Sequence, residues 1–141
     1  MADYVKSISK VLRREGALDA KLGYVNDKTD RGGETVAGIA RNFHPSWGGW
    51  VVVDGHKAHP NFPKILKTDE NLVQLIMSFY KREFWDKISG DEMKSQTIAE
   101  LIIDTAVLEG FVPAIKRAEN ITGIPTTGKI SELLIRKLNS L

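Results

Sequence analysis

Glu15 and the stretch GYVNDKTDRGGETVAGIA, Gly23 to Ala40, hold the residues best suited to bond-breaking chemistry. Glu15 falls in the last turn of a helical pattern, where unpaired carbonyls carry partial negative charge. A carboxylate in that field is pushed toward its neutral acid form. Partial burial pushes the same way, while Arg13 and Arg14 oppose it if they fold back. An acid held protonated near neutral pH can donate its proton to a glycosidic oxygen. The same position equally suits an ordinary solvated glutamate at a helix end.

The loop that follows supplies further carboxylates, Asp27, Asp30 and Glu34, and the hydroxyl of Thr35. One acid to protonate a leaving group, with a second carboxylate to activate water or stabilise a cation, is the arrangement glycoside cleavage requires. Asn26, Asp27 and Asp30 are also the residue types that close turns on their own backbone, and spacing alone does not separate the two uses. The ligand alternation of a calcium loop of the EF-hand type is missing.

A second irregular region, NFHPSWGGWVVVDGH, carries Phe43, Trp47 and Trp50 among glycines. Aromatic rings accept the apolar faces of sugars, so Trp47 and Trp50 are candidates for a substrate-binding wall or for core plugs beneath the loop. His44, His56 and His59, with Asp54 nearby, match no common zinc spacing, and no metal site is assigned. Asp104, on a mostly apolar helix, reads as a hydrogen-bonded structural residue. There is no GxSxG and no serine triad.

The elements that must position these groups are mainly helical. Asp3 caps a helix with apolar positions Tyr4, Val5, Ile8, Val11 and Leu12, stopped at Gly16. A short helix is predicted from about Glu34 to Asn42, and VVVD (Val51 to Asp54) reads as a short strand. Thr68, followed by Asp69 and Glu70, opens a helix to about Trp85. Ser95 opens another, with Ile98, Leu101, Ile102 and Thr105 on one face and Gly110 past its end. Pro113 starts a helix that stops at Gly123, and a last one carries Ile130, Leu133, Leu134 and Leu138.

The chain has 141 residues, 42% hydrophobic, enough for one domain with a real core. Its net charge of +2 is dispersed, which argues against a nucleic-acid partner and is compatible with an anionic polymer such as a bacterial wall. Without cysteine, disulfides, thiolate metal sites and a cysteine nucleophile are excluded. The N-terminal stretch reads as an amphipathic helix rather than a signal peptide, and no segment has the length of a membrane span, so no membrane insertion is expected.

Taken together, Glu15-Gly16, GYVND, and DRGGET followed by GIA resemble the signature of glycoside hydrolase family 108 (EGGYVNDP, then D, GG, T and GIT). FYKREFWDKI (Phe79 to Ile88) and IIDTAV (Ile102 to Val107) extend the resemblance. The tail, AIKRAENITG followed by TGKISELLIRKLN, is similar to the helical peptidoglycan-binding module of that family. The sequence departs from the pattern where ALDAKL (Ala17 to Leu22) interrupts EGGY, where Lys28 replaces a proline, and in its short tail. Six more residues in a surface loop cost little closure entropy, so Glu15 and the Asp27–Thr35 segment can still meet.

The resemblance implies a mainly α, lysozyme-like domain with two long functional loops and little β structure. It divides the chain into a catalytic region, 1–110, and a peptidoglycan-binding-like tail, 111–141, within one unit. It implies a phage-type N-acetylmuramidase that cleaves β-1,4 bonds between N-acetylmuramic acid and N-acetylglucosamine, as endolysins do, without a cofactor. Glu15 would be the catalytic acid, Asp30 and Thr35 its partners, and Tyr24, Asn26 and Asp27 the cleft wall. Peptidoglycan strands would be the partner of a monomer made in the cytoplasm and exported by a holin or secretion apparatus. The alternative is an impaired wall-binding or secretion-apparatus protein.

Overall fold

A computed structural model describes residues 1–141. Six α-helices and a three-stranded antiparallel sheet follow one another along the chain, a mainly α architecture as the sequence predicts. No helix is long and apolar enough to cross a membrane. The chain divides into two compact units, one of Met1–Val11 with Tyr80–Leu141 and one of Leu12–Phe79. Helix α1, Tyr4–Arg14, contributes residues to both.

In the first unit, Asp3 caps α1 as expected, its Oδ1 accepting from the Lys6 amide at 3.0 Å. Helix α4 spans Gln96–Glu109, with Ser95 Oγ accepting from the Ile98 amide. It buries Ala99, Ile102, Ile103 and Ala106; Leu101, predicted on the inner face, is exposed. Helix α5, Phe111–Thr122, has Pro113 in its first turn, and helix α6, Glu132–Leu138, is capped by Ser131. Glu119, buried at the end of α5, accepts from the amides of Thr127 and Gly128 and from the Thr127 hydroxyl, so the loop before α6 is stapled to α5. The sheet of the other unit follows a different logic.

Strands β1 (Val25–Asn26), β2 (Glu34–Val36) and β3 (Ile39–Ala40) pair in that order, Asn26 opposite Glu34 and Thr35 between Val25 and Ala40. The predicted helix from Glu34 to Asn42 is therefore a hairpin. Val36 and Ile39 face each other across the two-residue turn Ala37–Gly38, both at positive φ, the turn that matches strand twist. Flanking Thr35, Val36 and Ile39 are β-branched, which favours the extended form.

The predicted strand VVVD is instead part of helix α2, Gly49–His56. Three valines cost a helix only a few tenths of a kcal/mol each. Helical spacing buries Trp50 and Val53 together and leaves Val51 outside, and that burial outweighs local preference. Helix α3 runs Glu70–Tyr80, capped by Asp69 rather than Thr68, and continues as a wider π turn to Trp85.

The inserted ALDAKL is an ordered excursion. Asp19 Oδ1 accepts from the amides of Lys21 and Gly23, and Lys67 Nζ donates to the Ala17 carbonyl at 2.7 Å. Leu18 is 61% exposed at its outer side, whereas Leu22 is 1% exposed. Leu22→Ala should therefore cost about 2 to 5 kcal/mol of stability, and Leu18→Ala less than about 0.5. Urea unfolding midpoints of the two variants measure the contrast.

Candidate active site

Glu15 comes directly after α1, half-buried, with its Oε1 3.6 Å from Arg14 Nε. Its main chain is fixed by the glycines that follow. A side chain on Gly23 (φ +68°) would put its Cβ 2.7 Å from the Glu15 carbonyl oxygen and 3.1 Å from the Ala37 nitrogen. A Cβ on Gly16 would lie 2.9 Å from the Gly23 Cα. Gly16 and Gly23 thus touch across the base of the excursion, and the interrupted EG–GY motif is closed again in space. Leu22 completes the junction: its carbonyl accepts from the Ala37 amide at 3.0 Å. The Glu15 main chain and the β2–β3 turn consequently flank Gly23, where only glycine permits so close an approach.

Sheet register assigns the remaining candidates to faces. Residues directly opposite one another share a face, so Val25, Thr35 and Ala40 form one row and Asn26 and Glu34 the other. Exposure separates the faces: Glu34, Val36 and Ile39 are buried, while Val25 is 55% exposed. Thr35 therefore stands in the middle of the open face, flanked by Val25 and Ala40.

Asp30 approaches that face through the turn before β2. Its Oδ1 accepts from the Gly32 amide at 2.9 Å, and a Cβ on Gly32 would meet Ala40 Cβ at 2.9 Å and Asp30 Oδ1 at 3.5 Å. Asp30 and Thr35 are thus gathered near Ala40. Asp27 is exposed, and hydrogen bonds from the Thr29 hydroxyl and amide hold its carboxyl below the ordinary value.

Tyr24 belongs to a different constellation. Its hydroxyl donates to Glu34 Oε2, and its ring packs edge-on against Phe62 at 5.0 Å. Glu34 also receives Arg41 Nη1 at 2.9 Å and Lys57 Nζ at 2.8 Å. Arg41 grips Asp54 with both terminal nitrogens at 2.7 Å, and Lys57 reaches Asp54 at 3.0 Å. Burial alone would push the Glu34 carboxyl up; hydrogen bonds from Lys57, Tyr24 and Arg41 overcome it and hold it below 4.5. Asp54 is likewise held well below the carboxylate range, chiefly by Arg41. Burial and the Glu34 carboxylate push the Tyr24 phenol up, so it remains a donor. Of these residues the sequence points to Tyr24, Glu34 and Asp54 one by one and misses Arg41 and Lys57, because only the Asn26–Glu34 register and the turn into α2 join them.

Trp47 and Trp50 are buried, edge-to-face with each other at 5.4 Å. Trp50 Nε1 donates to the His44 carbonyl, and the Arg41 guanidinium lies over its ring. Both rings point inward and fill the unit rather than its surface. His56 Nε2 pairs with Asp69 Oδ2 at 2.7 Å, His59 Nδ1 accepts from the Asn61 amide, and the His44 ring packs on Phe79. Asp104 is half-buried on α4.

Six helices with a small antiparallel sheet form a mainly α, lysozyme-like domain. The family model Glycosyl hydrolase 108 matches residues 8–110, and the chain belongs to that family. The match takes in Glu15, Asp30 and Thr35 and ends before α5. In fold the chain is similar to the solved structure of Brucella abortus SagA, with a TM-score of 0.60 and 22% identity over 98% of this chain and 69% of that one. No curated protein matches.

The lowered Glu34 carboxyl carries a sign that acid unfolding can test. A folded-state value below 4.5 stabilises the protein fully above 4.5, and the contribution is lost as pH falls through the lowered value. The wild type should hold a level melting temperature from pH 7 to about 5 and lose stability below about 4.5. Glu34→Gln should cost about 3 kcal/mol at pH 7, since it leaves two cations facing one carboxylate, and its further loss on acidification should be smaller than that of the wild type.

Proposed function

We propose that the protein is a peptidoglycan hydrolase of N-acetylmuramidase type, cleaving β-1,4 bonds between N-acetylmuramic acid and N-acetylglucosamine. The observation that carries the reading is the close approach of the Glu15 main chain to Gly23, beside Ala37 of the sheet turn, within the region matched by a glycosyl hydrolase family. Glu15 protonates the leaving glycosidic oxygen as the bond to the anomeric carbon breaks and positive charge develops on the sugar ring. Asp30, with the Thr35 hydroxyl, stabilises that charge or orients the water that replaces the leaving group, whose second proton then goes to the carboxylate acting as base. Both stand on or beside the open face of the sheet.

Tyr24 and Glu34 have a supporting part in this reading. Their hydrogen bond is used up inside the unit, and it holds β1 on β2 so that Thr35 keeps its place. Asn26 and Asp27 lie at the exposed edge, where a glycan strand can meet them. The mild net positive charge of +2 favours approach to an anionic wall polymer.

Glu15→Gln keeps the shape of the side chain but removes the transferable proton. Its lysis rate on purified peptidoglycan should fall by a hundredfold or more, on the order expected for loss of a general acid, with an unchanged melting temperature. Near-normal turnover by this variant would remove Glu15 from the chemistry. Mass analysis of the new reducing ends in the wild-type digest distinguishes muramic acid from glucosamine termini.

A further inference from the structure

Six aromatic side chains of the Leu12–Phe79 unit are Tyr24, Phe43, Trp47, Trp50, Phe62 and Phe79. Five are buried or half-buried; Phe43 is 65% exposed. A single exposed apolar ring is ordinary by itself; what sets this one apart is its position beside Asp30 and the open face of the sheet.

The main chain at Phe43 is rigidly held. Its amide and that of His44 both donate to the Ala40 carbonyl, at 3.2 and 3.0 Å. Next to it, the Asn42 amide donates to the Gly32 carbonyl and Asn42 Nδ2 to the Arg31 carbonyl, tying this turn to the one that carries Asp30. A Cβ on Gly32 would lie 3.5 Å from Phe43 Cε2, 3.5 Å from Asp30 Oδ1 and 2.9 Å from Ala40 Cβ. One glycine thus separates the ring, the carboxylate and the edge of the open sheet face. The row Val25, Thr35, Ala40 therefore runs across the sheet toward Phe43, an apolar strip interrupted by one hydroxyl, with a carboxylate beside its end.

We propose that Phe43 is a glycan-binding residue, the platform on which one pyranose ring of the substrate lies flat beside Asp30. The proposal rests on the glycan-hydrolase reading above and adds the substrate contact that reading lacks. A β-1,4-linked pyranose with equatorial substituents turns its axial hydrogens to its two faces, so each face is apolar enough to cover a phenyl ring while its rim makes hydrogen bonds. An axial substituent on the stacked ring would lift it off the platform, so the site favours flat, β-linked pyranose chains. Phe43 takes no part in proton transfer; it fixes where the sugar lies relative to Asp30 and Thr35.

The test compares wild type, Phe43→Ala and Phe43→Trp in three measurements: calorimetric affinity for chitotetraose, KM and kcat on soluble peptidoglycan fragments, and melting temperature. Phe43→Ala should weaken affinity and raise KM by about five- to tenfold, with kcat within about threefold and the melting temperature unchanged. Phe43→Trp should restore or improve affinity. A wild type that cleaves glycan alongside a Phe43→Ala variant of unchanged affinity and KM overturns the platform while leaving the hydrolase reading intact. A wild type that neither binds nor cleaves overturns both. A Phe43→Ala variant that melts several degrees lower and binds normally makes the ring a packing element and also overturns the proposal.

Discussion

A carboxylate taken out of water costs several kcal/mol unless charged donors replace its hydration, and Glu34 is such a group. Its donors come from three places: Tyr24 just before β1, Arg41 just after β3, and Lys57 just after α2. Asp54 answers the same two cations, so two acids and two bases balance. None of these groups can leave without stranding another. The ends of a very small sheet, whose strands have two or three residues, are thereby held in one register. Strands so short have little ladder hydrogen bonding of their own, and the ionic knot around buried Glu34 supplies what they lack.

The register has a functional consequence. With Glu34 turned inward, the alternation of a strand turns Thr35 outward, and Val25 and Ala40 with it. The knot on one face and the open strip on the other are two results of a single pairing. The residues proposed for the chemistry are then carried by short connections around the sheet: Asp30 on a turn closed by its own side chain, and Glu15 just past the end of α1, its main chain close to Gly23. The excursion Ala17–Leu22 leaves this geometry intact because its two ends, Gly16 and Gly23, touch, while Leu22 anchors it below.

Aromatic residues divide by the same logic. Trp47 and Trp50 stack edge-to-face inside the unit, with the indole N–H of Trp50 satisfied by a carbonyl and its ring beneath Arg41. They connect α2 to the ionic knot rather than to a ligand. Phe43 lies in the turn that follows β3, its amide bonded to the Ala40 carbonyl, and its ring is exposed. Composition alone would have favoured the tryptophans for sugar contact, since indole offers the larger surface. The fold buries both indoles and leaves the Phe43 ring at the surface.

Much of this protein was legible in its sequence because the signals are local. Caps at Asp3 and Ser95, apolar spacing of 3 and 4, and glycines past helix ends act over one or two turns, and the helices they bound appear where expected, whereas the last helix starts only after Ser131 and leaves Ile130 outside. The Glu15–Gly16, GYVND and DRGGET motifs likewise led to the family, because their residue types are tied to a backbone path and not only to a core. Three features needed the tertiary structure. The segment Glu34–Asn42 became a hairpin and VVVD a helix because pairing with β1 and burial of Trp50 with Val53 each exceed a propensity difference of a few tenths of a kcal/mol per residue. The Tyr24–Glu34–Arg41–Asp54–Lys57 knot was invisible because its members are up to 33 residues apart and meet only through strand register. Which aromatic faces water was decided last, since a ring's exposure depends on what packs over it, and no property of the ring itself records that.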